Sequence, residues 1–431
     1  MTKSKNYGLN RNFLNAIFLV QVGYNDFDHM LPVINKLSNI YKKRIIIDVI
    51  YDVKSISFPK NDHRFVYLKS LSNVRINYTF KYKRILKLYD IFNKSDNLLF
   101  KVISEYLRRY IRFIIKDPQN FDWLEILSDN FLNYNRTIIF VGMTTKRTNY
   151  ICNILKSINP RLKTVLLPHG TELYTNQMTY PEDLSSEKQP RDFSHMSDMD
   201  YLFFTDNYTK KQALDYGLNN NQIKVVGSAR FCLEWINKSK ILGINGPLPK
   251  IGKNRIKVLF LMPHYATNIF MEEVYRTLLF ISQYKEICLI AVTRVGASLK
   301  KEIPVEIINN LRINFVDKEF TSSALIDWSN VLIHCTSTMQ YDGYQRRKIV
   351  VFPRYLLASS TLCEKYQAGI ILSNRDELRD NVNSMIESYD QYKKNYFLNS
   401  SGIKNYIHDY VNGGNDISVL DKYLNEINKI I

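Results

Sequence analysis

Short apolar runs rich in β-branched residues alternate along this chain with longer stretches in which apolar positions recur every three or four residues. In the first half the runs are Ala16–Gln21, Arg44–Tyr51, Thr137–Val141, Thr164–Leu167, Tyr201–Phe204 and Ile223–Val226, with helical spacing over Leu31–Ile40 and Asn149–Ser157. A run that is apolar on both alternating faces predicts a strand buried on both sides, and strands that alternate with helices predict a parallel sheet under helical layers. From Asn237 to Arg255 three glycines, two prolines and five basic residues interrupt the pattern, as an interdomain linker does. A second series follows, with strands over Ile256–Met262, Ile287–Thr293, Ile313–Val316, Val331–His334, Ile349–Phe352 and Gly369–Leu372, and helices over Ile269–Gln283, Lys300–Asn309 and Arg375–Tyr389. The expected architecture is α/β: two Rossmann-like domains facing across a cleft. The first spans residues 1–236 with a helical insert at about 82–132, and the linker spans 237–255. The second spans 256–404, and helices at 405–431 pack back on the first domain.

A length of 431 residues fits two domains of about 200 residues each. The net charge of +18 points to anionic partners, whether phosphorylated substrates, acidic lipid or nucleic acid. Charge by itself does not choose among them. Cys152, Cys232, Cys288, Cys335 and Cys363 are widely spaced and mostly set in apolar runs, which suits reduced thiols in a cytoplasmic protein. The apolar run Ala16–Val20 is followed by polar residues, so it reads as a first strand rather than a signal peptide. No stretch reaches the ~18 apolar residues that cross a bilayer, which restricts membrane contact to a peripheral mode. Within the insert Lys101, Arg108, Arg112 and Lys116, with Arg109 alongside, share helical spacing opposite Leu99, Val102, Ile103, Tyr106 and Tyr110. That face suits an anionic membrane surface or an ordinary solvated helix.

Four strand exits carry candidate chemistry. Thr336, Ser337 and Thr338 lie between a strand and a helix, where free backbone N–H groups and the helix dipole favour a phosphate, although hydroxyl residues also cap helices. Pro168-His169-Gly170-Thr171 puts an imidazole and a glycine after an apolar run, a place for a proton acceptor or a phosphate contact. Asp26 and Asp28, after the first strand, offer a general base or a helix cap. Pro263-His264-Tyr265 would face the same cleft from the second domain, and Gly227-Ser228-Ala229-Arg230 would bring Arg230 to a phosphate or to the hinge. His29, His195 and His334 lack companions at ligand spacing, so no metal site is expected. The Walker and GxGxxG patterns are absent, which disfavours ATPase and dehydrogenase readings.

The order His169-Gly170-Thr171, Thr205-Asp206-Asn207-Tyr208, Val226-Gly227-Ser228-Ala229-Arg230, then Leu325 to Ile333 with Thr336-Ser337-Thr338 and Asp342, resembles the CDP-glycerol glycerophosphotransferase group. More broadly it is similar to GT-B glycosyltransferases that assemble bacterial surface polysaccharides such as capsule and O-antigen. The resemblance covers roughly Val165 to Pro353. It implies that His169 is catalytic or contacts phosphate, that Ser337 and Thr338 hold the donor phosphate, and that Asp342 reaches the ribose. The group's His-Pro pair is replaced by Ala291-Val292-Thr293-Arg294, which keeps Arg294 for the leaving phosphate, and its Asp-Tyr before the hydroxyls is Cys335-Thr336. A CMP- or CDP-activated sugar is the favoured donor, beside a UDP- or GDP-sugar, with a glycan or lipid-linked acceptor, no cofactor and no nucleic acid. A CDP-glycerol-type transferase, a sugar-nucleotide epimerase, and a non-catalytic basic protein that binds nucleic acid or membrane are the alternatives.

Overall fold

A computed structural model describes residues 13–21, 24–51, 62–78, 91–92, 97–116, 136–168, 170, 192–263, 269–292, 303–316 and 320–431. Among these residues there are two wholly parallel sheets. The first holds β1 (Leu14–Val20), β2 (Ile45–Tyr51), β3 (Val74–Tyr78), β4 (Arg136–Val141), β5 (Lys163–Leu166), β6 (Tyr201–Phe204) and β7 (Ile223–Val225), in the order β3-β2-β1-β4-β5-β6-β7. The second holds β8 (Ile256–Leu261), β9 (Ile287–Val292), β10 (Ile313–Val316), β11 (Val331–His334), β12 (Ile349–Pro353) and β13 (Ile370–Leu372), in the order β10-β9-β8-β11-β12-β13. Register is tight at both centres: Leu14 lies opposite Ile45 and Arg136, and Val331 opposite Val258 and Ile349.

Each sheet is buried on both faces, as its unbroken apolar runs require. Ala16, Phe18 and Val20 enter one core while Ile17 and Leu19 enter another. Leu259 and Leu332 likewise part from Val258, Phe260, Val331 and Ile333 in the second sheet. The sequence pattern does not predict β3, because its polar Arg75 and Asn77 interrupt the run and the strand lies half-buried at an edge. Arg75 is held there by Asp48 of β2 at 2.7 Å.

The helix Leu233–Ile241 runs past residue 237, where the linker was expected to begin, with Trp235 buried in the core of the first sheet. Gly243, at φ +65, follows its end. The chain tail then crosses back. The helix Ser401–Tyr410 packs with Tyr341 and Tyr344 of the second core, whereas Val419, Leu420, Tyr423 and Ile427 of the helix Val419–Ile430 join the core of the first sheet. Between the two helices the carbonyl of Val411 accepts from the Ser228 N–H at 2.8 Å. Gly227 holds φ +84 at this crossing, and a Cβ there would lie 2.5 Å from the Val411 oxygen, so the close approach requires glycine.

The strand orders reverse direction between β1 and β4 and between β8 and β11. In open parallel sheets ligands settle at the carboxyl ends of strands beside such switch points.

Candidate functional site

The first switch point is built by the turn after β1. Asp26 is fully buried, and its carboxylate accepts from the Gln21 backbone N–H at 2.7 Å. The Gln21 side chain in turn accepts from the Thr148 hydroxyl at 2.8 Å. Gly142, just past β4, makes room for this carboxylate, since a Cβ there would stand 2.7 Å from Asp26 Oδ1. Two residues on, Asp28 lies between two guanidinium groups, pairing with Arg64 and, at 2.9 Å, with Arg230. Arg64 also pairs with Asp62 at 2.6 Å, and burial, which opposes its charge, is outweighed by the two carboxylates, so its pKa is raised. Asp28 is therefore held between two guanidinium groups.

The second switch point is the exit of β11. Ser337 Oγ accepts from the Met339 N–H at 3.3 Å, but Thr338 stands at the N-cap of the helix Met339–Gln345 in a helical backbone conformation with no capping bond from its hydroxyl. Among the described residues the Thr336 and Thr338 hydroxyls have no hydrogen-bond partner, and both residues are only half-buried. Capping thus accounts for one hydroxyl of three. Asp342 lies on the helix that follows this turn. It is 3% exposed, accepts from Ser323 Oγ at 3.0 Å and pairs with Arg346, which also reaches Asp327 at 2.7 Å. Burial raises its pKa although Arg346 and Ser323 act in the other direction.

Arg230 joins the two halves. Its Nη2 pairs with Asp28 of the first domain and also lies 3.3 Å from the Met339 sulfur, next to the hydroxyl turn of the second. Phe231 lies under Arg230, with 5.0 Å between guanidinium and ring, and packs on Tyr341 at 5.7 Å between centroids. Asp26, Asp28, Arg230, Asp342 and the turn Thr336–Thr338 are thus brought together by the two switch points. Gly170 follows buried Pro168 beyond β5; it is exposed, and a Cβ there would meet nothing within 4 Å. His169, Thr171, His264 and Arg294 lie outside the described residues. Sequence reasoning missed Arg64, Gly142 and Arg346. Gly142 had a signal, a glycine directly after the apolar run Thr137–Val141, whereas nothing in the local pattern marks Arg64 or Arg346.

No family model matches the chain. Among curated sequences, Protein TIC 214 of Chaetosphaeridium globosum is 23% identical over 256 residues, covering 56% of this chain but only 16% of that protein. Solved structures align over nearly the whole length. The UDP-GlcNAc 2-epimerase of Neisseria meningitidis bound to UDP-GlcNAc matches with TM-score 0.55 and 13% identity, over 96% of this chain and 99% of that one. The Methanocaldococcus jannaschii UDP-GlcNAc 2-epimerase in complex with UDP-GlcNAc and UDP gives TM-score 0.54 at 14% identity, over 96% and 99%. Anabaena Alr3699/HepE in complex with UDP and glucose gives 0.53 at 12%, again over 96% and 99%.

The fold is GT-B. At these identities the likeness speaks for the fold alone, and the chemistry of the cleft rests on the residues above. Those residues offer hydroxyls at the start of a helix on one wall, and a clamped carboxylate and guanidinium on the other. Such a site is suited to an anionic ligand that spans both domains.

Proposed function

We propose that this chain is a glycosyltransferase that moves a sugar from a nucleotide-activated donor to a growing surface glycan. The observation that carries the reading is the turn Thr336–Thr338 at the second switch point, set one residue from the Met339 sulfur that Arg230 touches while pairing with Asp28 of the first. In this reading Thr336, Ser337 and Thr338 take the donor phosphates, and Arg294 and His264, which lie outside the described residues, are further donor contacts. Leaving-group charge is then met by fixed dipoles and cations. Arg230 and Asp28 fix the spacing of the domains. The general base is one of His169, Asp26 and Asp28, with Gly170 and Thr171 following His169 in the chain. The UDP and UDP-sugars bound in the structural neighbours bring uridine donors alongside the CMP- and CDP-activated ones.

The acceptor is a glycan or lipid-linked glycan at the cytoplasmic face of the membrane. Among the described residues no helix is long and apolar enough to cross a bilayer. The helix Leu98–Lys116 exposes Leu99, Val102 and Tyr106 beside Lys101 and Arg109, which supports peripheral contact with anionic lipid.

A second reading, sugar-nucleotide epimerase, is favoured by the two epimerases that align over 96% of this chain. Incubation with UDP-GlcNAc, followed by chromatography of the nucleotides, separates the two. A transferase liberates UDP in proportion to added glycan acceptor, and an epimerase yields an isomeric UDP-sugar with no acceptor present. An unchanged sugar nucleotide under both conditions, repeated with CMP-, CDP- and GDP-sugars, would defeat both.

A further inference from the structure

At the opposite end of the second sheet, where β11 and β12 begin, lies a cavity of about 360 Å³ whose lining includes Asn330, Arg346, Arg347, Lys348, Tyr389 and Lys393. Four of these side chains are cationic. Arg346 is neutralised by Asp327 and Asp342. Lys348 gives its ammonium to two backbone carbonyls, those of Asp327 at 2.9 Å and Ser329 at 2.7 Å, which caps the end of the helix Ser322–Trp328. Such a cap explains Lys348 but does not discharge it. Among the described residues Arg347, Lys348 and Lys393 have no carboxylate in ion-pairing reach. Arg347 instead lies 5.2 Å from the Phe397 ring, and Lys393 lies 5.9 Å from that of Tyr389. Arg347 also holds φ +55, a backbone conformation that costs a residue other than glycine about 1 kcal/mol or more.

The electrostatics of the cavity are those of an incomplete site. Burial lowers the Lys348 pKa to about 8; Asp327 acts to raise it, while Arg346, Lys393 and Lys240 lower it further. Arg347, Lys393 and a Lys348 that Asp327 offsets only in part repel one another around this concavity unless an anion joins them. The hydroxyl of Tyr389, held by a side-chain hydrogen bond from Asn330, adds a neutral donor of the kind that orients a tetrahedral oxyanion. The cavity is also separate from the nucleotide cleft, because β11 runs between them and its four residues span ~13 Å. The helix Met339–Gln345 links the two places: it begins at the hydroxyl turn and ends at Arg346 and Arg347.

We infer that this cavity is a second anion site that binds a phosphate group, through Arg347, Lys348 and Lys393, on the face of the second domain away from the donor cleft. The inference is independent of which reaction the cleft performs. Phosphate is supplied either by a small phosphorylated solute or by a lipid headgroup, and the test separates these sources.

Isothermal titration of inorganic phosphate into the full chain is compared with titration into Arg347→Ala/Lys393→Ala, and into Ser337→Ala/Thr338→Ala as the cleft control. The site predicts that the binding which depends on Arg347 and Lys393 falls at least tenfold in the first variant and persists in the second, which removes only what binds at the cleft. It also predicts weaker wild-type binding at pH 9.5 than at pH 7, as Lys348 loses its proton. Sedimentation with phosphatidylglycerol vesicles that disappears in Arg347→Ala/Lys393→Ala and is competed by phosphate would identify a lipid as the source of the same group. Phosphate affinity that is equal in wild type and Arg347→Ala/Lys393→Ala, or that falls only in the cleft control, overturns the proposal.

Discussion

His334 is 1% exposed at the carboxyl end of β11, and among the described residues neither ring nitrogen has a hydrogen-bond partner. Burial lowers its pKa to about 3, against an ordinary value near 6.5. The sign follows directly. Between about pH 6.5 and 3 the unfolded chain binds a proton that the folded chain refuses, so stability present above pH 6.5 is lost as pH falls through that window. His334→Phe, which extends the contact with Phe352 at 5.7 Å, is expected to lose less stability than wild type between pH 6.5 and 4. Urea midpoints across that range read the difference, and parallel pH profiles would contradict it. Carboxylates with lowered pKa, such as Asp62, act alike in both proteins and cancel. At the first switch point Gly142→Ala pushes a methyl group to 2.7 Å from the Asp26 carboxylate. The expected cost is about 1–3 kcal/mol in equilibrium unfolding. A neutral substitution would show that Asp26 is free to move, against the packed site described above.

Two glycines separate backbone strain from crowding at the level of elements. Gly217, at φ +104, has nothing within 4 Å of a Cβ position, whereas Gly227, at φ +84, has the Val411 carbonyl at 2.5 Å. Alanine is expected to cost about 1 kcal/mol at Gly217 and about 3 kcal/mol or more at Gly227, where the tail must lift from the first domain. Equal costs, read from urea unfolding of the two variants, would mean that the crossing is not a tight packing contact. The contrast also shows what a sequence carries. The central strands are legible because burial on both faces leaves unbroken apolar runs, as in Ala16–Val20 and Val331–Ile333. β3 is not, because an edge strand needs apolar residues on only part of its surface. The glycine of Gly227-Ser228-Ala229-Arg230 is visible, but its reason is not, since Val411 lies far along the chain. The hydroxyl turn could be placed at a strand exit, yet the partners of Asp342 depend on Ser323 and Arg346 folding onto it.

For the molecule as a whole, the contact from Asp28 through Arg230 to Met339 ties the relative position of the domains to the site between them. Asp28 keeps Arg64 when Arg230 is removed, so Arg230→Ala is expected to change stability by no more than ~1.5 kcal/mol. Its effect should fall on the cleft, as a rise of about tenfold or more in KM for the sugar nucleotide. A variant that unfolds, or one with unaltered kinetics, would count against a bridging role. The claim on which the functional reading depends is that the turn Thr336–Thr338 holds a nucleotide phosphate. It is tested most directly by thermal unfolding with CMP, CDP, UDP and GDP at concentrations up to about 10 mM, for wild type and for Ser337→Ala/Thr338→Ala. A ligand at about 100 times its Kd stabilises the fold by about 2.7 kcal/mol, a shift of several degrees. The account predicts that one base raises the wild-type midpoint by that amount and leaves the double variant nearly unmoved; no shift with any nucleotide, or equal shifts in both proteins, would contradict it.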